Sequence, residues 1–163
     1  MSEVKLKAVE DLAELALFAK GIWEEYWTPR LPLGQPEYMI EKFQSEKAMR
    51  EQVKNDNYHY FYITSDEKIV GYTGLSLKGS RLFLSKLYIL KEFRNSGYGR
   101  QAFEKIKEFA KAHGKSEIYL TVNKGNAPTI TAYKNWGFAI TKAIVTDIGE
   151  GYVMDDYVMT YAL

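Results

Sequence analysis

The hydrophobic pattern of the chain changes period several times, and each change predicts an element. "EVKLKAV" alternates apolar and polar positions and predicts a short strand. In "EDLAELALFAKGIWEEYW", Leu12, Leu15, Ala16, Ala19, Trp23 and Tyr26 recur at helical spacing and predict an amphipathic helix. "TPRLPLGQP" gathers three of the four prolines with a glycine, which stops the helix and makes a loop. "EYMIEKFQSEKAMREQVKN" returns to a helical period, with Ser45 placed to cap a break, so it predicts one or two helices.

From Tyr58 the texture turns aromatic and β-branched. "YHYFYITSD", "EKIVGYTGLSLKG" and "SRLFLSKLYIL" are bounded by Asp, Gly and Ser turn signals and predict three adjacent antiparallel strands. "GYGRQAFEKIKEFAKAHG" places Ala102, Phe103, Ile106, Phe109 and Ala110 on one helical face, with Gly114 as its stop. "SEIYLTVN" predicts a strand, "APTITAYKNW" a short helix with Pro128 in its first turn, and "FAITKAIVTDI" with "YVMDDYVMTYAL" a closing strand pair. The order of elements describes an α+β protein without internal repeats.

Length and composition add limits. A chain of 163 residues with 46% hydrophobic and 26% charged residues is expected to form one domain, residues 1–163, around a single core. The net charge of +1 argues against a broad basic face for nucleic acid. Cysteine is absent, which removes thiolate metal sites and cysteine nucleophiles and suits a reducing compartment, so a cytoplasmic location is expected. His59 and His113 are the only imidazoles and lie far apart in sequence, so no metal is expected. The first residues are charged and no stretch nears eighteen apolar residues, so neither a signal peptide nor a membrane span is expected.

The candidate chemistry lies in "EFRNSGYGRQAFEKI". Gly97-Tyr98-Gly99-Arg100-Gln101-Ala102 satisfies the dinucleotide pattern G-x-G-x-x-A. However, six residues separate Leu90 from Gly97, several antiparallel strands come first, and Glu117 begins a strand where an acidic residue should end one. Gly114-Lys115-Ser116 imitates the end of a triphosphate loop, but Phe109 stands where the leading glycine belongs. Two readings remain, an ordinary strand-to-helix turn and an anion site. In the second, bare amides open a helix, glycines 97 and 99 admit phosphates to the backbone, and Arg94 and Arg100 add charge.

The downstream segment "YLTVNKGNAPTITAYKNWGF" sets Asn126 and Tyr133 on a strand-loop-helix unit. Together with R-x-x-G-x-G it resembles the GNAT superfamily of acetyl-CoA-dependent N-acetyltransferases, over essentially the whole chain. The resemblance implies an α/β/α fold: a mixed, mostly antiparallel sheet of six to seven strands, splayed between the fourth and fifth, flanked by about four helices. It implies that Arg94, Asn95, Ser96, Gly97, Tyr98, Gly99 and Arg100 wrap the pyrophosphate of acetyl-CoA and that the main chain of Leu87, Tyr88 and Ile89 binds the pantetheine arm. Asn126 matches the asparagine that contacts the coenzyme, and Tyr133 the tyrosine beside its sulfur.

A phenol of pKa ~10 facing a thiolate whose acid lies near ~8.5 gives up its proton uphill by roughly 2 kcal/mol, so Tyr133 is expected to act as a hydrogen-bond donor to the leaving sulfur. The base is unassigned, because Thr121 occupies the position of a glutamate that some members carry. An amine of pKa ~10.4 is only about one part in a thousand neutral at pH 7.4, a deficit near ~4 kcal/mol.

The resemblance also implies that the first helix, the loop after it and the closing strand pair meet the acceptor. Trp23, Tyr26 and Trp27 are candidate walls for it, Glu24 and Glu25 candidate counter-charges, and Asp155 and Asp156, near the last turn, further candidates. The expected acceptor is a small-molecule or peptide amine, in a layout similar to bacterial diamine and polyamine acetyltransferases, and the chain is expected to be a monomer or homodimer. A non-catalytic acyl-CoA sensor on the same fold is the alternative.

Overall fold

The computed structural model describes residues 3–163. A seven-stranded sheet runs through the molecule in the order β1-β2-β3-β4-β5-β7-β6. Its strands are β1 (Val4–Ala8), β2 (Tyr58–Ser65), β3 (Lys68–Lys78), β4 (Arg81–Ile89), β5 (Glu117–Asn123), β6 (Ala139–Gly149) and β7 (Tyr152–Ala162). Every pairing is antiparallel except β4 with β5. The helices are α1 (Leu12–Trp27), α2 (Gln35–Met39), α3 (Glu46–Asn55), α4 (Tyr98–Ala112) and α5 (Ala127–Trp136). Among the described residues there are thus five α-helices where about four are expected, the additional one being short α2. No helix among the described residues is long and apolar enough to cross a membrane.

Local chemistry sets the helix boundaries. The Asp11 carboxylate accepts from the amides of Ala13 and Glu14 and starts α1. The Ser45 hydroxyl accepts from the Ala48 amide and starts α3. Between α2 and α3, Ile40–Gln44 forms a π-helical turn, a distortion the helical period of that stretch does not reveal.

Two apolar clusters clamp the sheet. On one face Phe103, Ile106 and Ala110 of α4 and Ile130 of α5 pack on Leu82, Leu84, Ile118, Leu120 and Met159. On the other face Leu15, Ala19, Ile22 and Trp23 of α1, with Met39, Ile40 and Met49, cover Tyr60, Tyr62 and Tyr72. A smaller cluster joins Val4, Ile63, Val70 and Ala102 near the β1 edge.

The pairing of β4 with β5 is short. Arg81, Leu82 and Phe83 face Glu117, Ile118 and Tyr119, and the ladder ends there although both strands continue. Just past that point β4 carries an extra residue. Gly74 pairs with Lys86 and Leu75 with Leu84, leaving Ser85 as a bulge. Bulges bend a strand, and this one turns the second half of β4 away from β5. The sheet is therefore splayed between its fourth and fifth strands, as the resemblance implies.

Tyr72 locks α1 to the sheet. Its ring is fully buried, and its hydroxyl accepts from Trp23 Nε1 at 2.8 Å and donates to Gln44 Oε1 at 2.7 Å. Tyr72→Phe strands two buried partners and is expected to cost about 2–4 kcal/mol. Urea unfolding measures this, and a loss below about 0.5 kcal/mol would show that the two bonds carry no net stability.

Candidate active site

A cavity of about 910 Å³ opens where β4 and β5 part. One wall is the freed end of β4. Leu87, Tyr88 and Ile89 line it, and past Phe83 their backbone has no partner strand on the β5 side. The strand runs into a 3-10 turn at Lys91–Phe93 and then the glycine turn, which delivers the chain to α4. Gly97 caps α4 at φ 86° and ψ 0°, in the left-handed region that favours glycine, and no side chain caps the helix. The first turn of α4 also holds no acidic residue. Its amides and the positive end of the helix dipole stay available to an anion.

Of the residues the sequence proposes for this turn, Arg94, Asn95, Gly97, Tyr98, Gly99 and Arg100 line the cavity, whereas Ser96 is exposed and lies outside the lining. Asn95 adopts φ 61°, which turns the chain sharply before the helix. Arg94 is engaged within the protein. Its Nε donates to the Ile89 carbonyl at 2.8 Å, and its two terminal nitrogens hold Glu25 at 2.6 and 3.2 Å. That bidentate pair holds the Glu25 carboxyl below the usual carboxylate range. Arg100 is half-exposed, its ion-pair partner among the described residues is Glu104 at 3.7 Å, and it remains the more available cation.

The opposite wall comes from β5 and α5. Asn126 precedes α5, is buried, and its amide donates to the Tyr26 hydroxyl, which also sits 3.3 Å from Thr129 Oγ1. Tyr26 thus ties α1 to α5 across the cavity. Tyr133 lines the same space with its ring edge against Trp136 and Phe138. Its hydroxyl has no hydrogen-bond partner among the described residues, and burial raises its pKa further above the ordinary phenol value. The uphill gap to a thiolate is therefore larger than for a free phenol, and Tyr133 stays a donor.

The α1 residues separate into two groups. Trp23 and Trp27 line the cavity, but Trp23 is a core residue whose indole N–H is spent on Tyr72, and Trp27 donates to the Tyr88 hydroxyl at 3.3 Å. Glu24 and Glu25 are not brought to the lining. Glu24 lies 3.9 Å from Lys20 on an exposed surface, and Glu25 serves Arg94. The closing strands also differ from the reading that set Asp155 and Asp156 near the last turn. The turn is at Glu150 and Gly151, and Asp156 is a buried β7 residue in register with Asn123 of β5 and Ile144 of β6. Asp155 is the exposed neighbour, paired to Lys124 at 2.7 Å.

Sequence reading misses Lys86 altogether. It lies in the cavity wall, buried, and donates to the Phe43 carbonyl at 2.7 Å, to Gln52 Oε1 at 3.2 Å and to the Tyr60 hydroxyl. Three neutral acceptors satisfy the ammonium without a counter-ion, and burial pushes its pKa well down. Gln44 of the π-helical turn also lines the cavity, and its Nε2, fully shut off from the surface, has no partner among the described residues.

The opened sheet edge, the uncapped start of α4 and the Tyr133 phenol thus share one cavity. The chain belongs to the acetyltransferase (GNAT) family, whose sequence profile matches residues 19–138. It is similar to streptothricin acetyltransferase from Streptomyces lavendulae, 28% identical over 86 residues that cover 52% of this chain and 46% of that protein. The match thus spans about half of that relative's length. The fold is shared with the PaiA N-acetyltransferase of Thermoplasma acidophilum, solved in complex with coenzyme A (TM-score 0.78, 18% identity, 99% of both chains). It is shared too with the spermidine N-acetyltransferase SpeG of Vibrio cholerae, solved as a chimera with hSSAT (TM-score 0.72, 16% identity, 99% of this chain and 96% of that one).

Lys86 gives the cavity wall a pH signature. Between its lowered folded pKa and the ordinary lysine value the unfolded chain holds one proton more, so stability contributed by this group rises with pH. Wild type is expected to gain stability relative to Lys86→Met between pH 7 and pH 9.5 in urea titrations. A pH-independent difference between the two would show that Lys86 titrates normally in the fold.

Proposed function

We propose that this enzyme transfers the acetyl group of acetyl-CoA to a primary amine by direct attack within a ternary complex. The observation that carries this reading is the continuity of three features in one cavity: the backbone edge of Leu87–Ile89 that faces β5 without a partner strand, the uncapped N-terminus of α4, and the Tyr133 hydroxyl, unpartnered among the described residues. A pantetheine arm is an extended chain of amides, and a freed strand edge receives such a chain as it would another strand. The bare amides after Gly97 suit a pyrophosphate, with Arg100 adding charge while Arg94, tied to Ile89 and Glu25, holds the turn in shape. Asn126 flanks the carrier from the other side.

When bound, acetyl-CoA supplies a thioester carbonyl and a thiolate leaving group. The chain's own groups do the rest. Main-chain amides of β4 polarise the carbonyl and hold the oxyanion, a preorganised dipole effect. Tyr133 donates a hydrogen bond, and finally its proton, to the departing sulfur. The absence of cysteine leaves no thiol to carry the acetyl group, which favours direct attack over a relay.

The acceptor enters beside Trp27, Tyr26 and Trp23, where aromatic faces suit a cationic amine. The names of the relatives put streptothricin and spermidine first in a panel with putrescine and lysine peptides. Amine-dependent release of free thiol from acetyl-CoA is the direct test. Acetyl-CoA binding with no release for any amine would overturn the reading in favour of a sensor. Tyr133→Phe is expected to lower kcat about ten- to a thousand-fold while acetyl-CoA affinity, read by calorimetry, changes little. Unchanged turnover would remove Tyr133 from the chemistry.

A further inference from the structure

The proton of the acceptor ammonium has no obvious destination on β5, since Thr121 cannot act as a base. Of the two acids that line the cavity, Asp147 is exposed and Asp156 is buried. Asp156 is 4% exposed, lines the cavity, and accepts no hydrogen bond and forms no ion pair among the described residues. Its neighbour Asp155 takes Lys124, the nearest cation. A carboxylate this buried is normally paired, so a free one pointing into a ligand cavity is aimed at something the ligand brings. On the pleated sheet Asp156 faces Asn123 across the ladder, and Thr121 faces Val158, so Asp156 and Thr121 lie on one face, a diagonal step apart.

We propose that Asp156 is the catalytic base: its carboxylate receives the acceptor ammonium and takes the proton that frees the nitrogen lone pair. This rests on the amine N-acetyltransferase reading above. The proton count is complete. One proton passes from the ammonium to Asp156 and on to solvent. The nitrogen lone pair then forms the N–C bond, and the C–S bond breaks with its electron pair going to sulfur. The second proton leaves nitrogen and makes good the one Tyr133 gives to sulfur. The sum is an amide, a free thiol and one released proton.

The electrostatic surroundings suit the role. Burial, and secondarily Asp155, pushes the Asp156 carboxyl up to about 6, with Lys124 opposing. The other groups around it are the Tyr88 phenol from β4, apolar Ile144 across from it on β6 and, farther along β6, Asp147, whose carboxylate holds the Gly149 amide. Among the described residues no lysine or arginine hydrogen-bonds to it. A raised carboxyl and a desolvated ammonium approach each other in pKa, which makes the neutral pair accessible where in water it is not.

Asp156→Asn is the test, read in three ways with the best amine of the spermidine, putrescine and lysine-peptide panel. At pH 7.5 kcat/KM is expected to fall about 10²- to 10⁴-fold. The deficit should then shrink by about 100-fold at pH 9.5, because an amine of pKa ~10.4 becomes neutral without help, while wild type stays nearly flat above its low-pH limb. Without any substrate, the thermal midpoint of the variant should rise above that of wild type as pH increases from 4 to 7.5. The reason is that a folded pKa above the unfolded one costs the wild type stability once the group ionises. A variant within threefold of wild type at pH 7.5, or impaired by one constant factor at every pH, overturns Asp156 as base while leaving the acetyltransferase reading intact. If wild type releases no thiol with any amine, both readings fall together. A midpoint difference that ignores pH would refute the unpaired, raised carboxyl itself.

Discussion

Strand β4 cannot remain hydrogen-bonded to both of its neighbours along its whole length, and the site is built from that failure. The bulge at Ser85 adds one residue against β3, so β4 keeps that partner to Ile89 but swings off β5 after Phe83. An open sheet edge inside a protein is costly, because each bare N–H and C=O forfeits its hydrogen bond. The cleft is open to solvent, so water meets that cost, and a chain of alternating donors and acceptors is complementary to the same groups. The same departure carries the chain into the glycine turn, so the strand edge and the head of α4 form one continuous polar track.

The cleft would gape if nothing spanned it, and α1 supplies the span. The Tyr26 hydroxyl takes the Asn126 amide and reaches Thr129, while Glu25, one residue earlier, holds Arg94. One turn of helix therefore touches both sides of the opening, the glycine turn and α5. Behind it the rings of Trp23, Trp27, Tyr72 and Tyr88 pack at centroid distances of 5.4 to 6.1 Å, a rigid backing that gives those contacts a fixed position. Arg94 matters here more as a tie than as a charge, since its guanidinium is already shared between Ile89 and Glu25.

Most of the frame was legible in the sequence because strands and helices announce themselves by period, and caps such as Asp11 and Ser45 by residue type. The turn with its two glycines was legible for the same reason. What was hidden depended on which side of a doubly covered strand a residue faces. Asp156 and Met159 are both buried though three apart, on opposite faces of β7, so no alternation marks either as interior. Two adjacent acids close to a glycine turn then read alike as acceptor candidates, with nothing to tell the buried Asp156 from the exposed Asp155. Lys86 was hidden similarly, in a strand buried at every second position that hides its ammonium among tyrosines. The adjacent Glu24 and Glu25 drew attention by charge alone, yet helix phase sends one to solvent and the other to Arg94.

The two buried ionisable groups of the cavity wall differ in a way that separates scaffold from chemistry. Lys86 has three hydrogen-bond partners within the protein, and burial favours its neutral amine, so it leaves no charge for a ligand to meet. Asp156 has no such partner among the described residues, and its nearest cation is already taken by Asp155. An uncompensated buried charge lowers stability, and a fold retains one only where removing it would cost more than stability. On the proposed reading the partner of Asp156 is the acceptor ammonium, and that pairing would set the amine beside the carbonyl it attacks, at a wall flanked by aromatic rings.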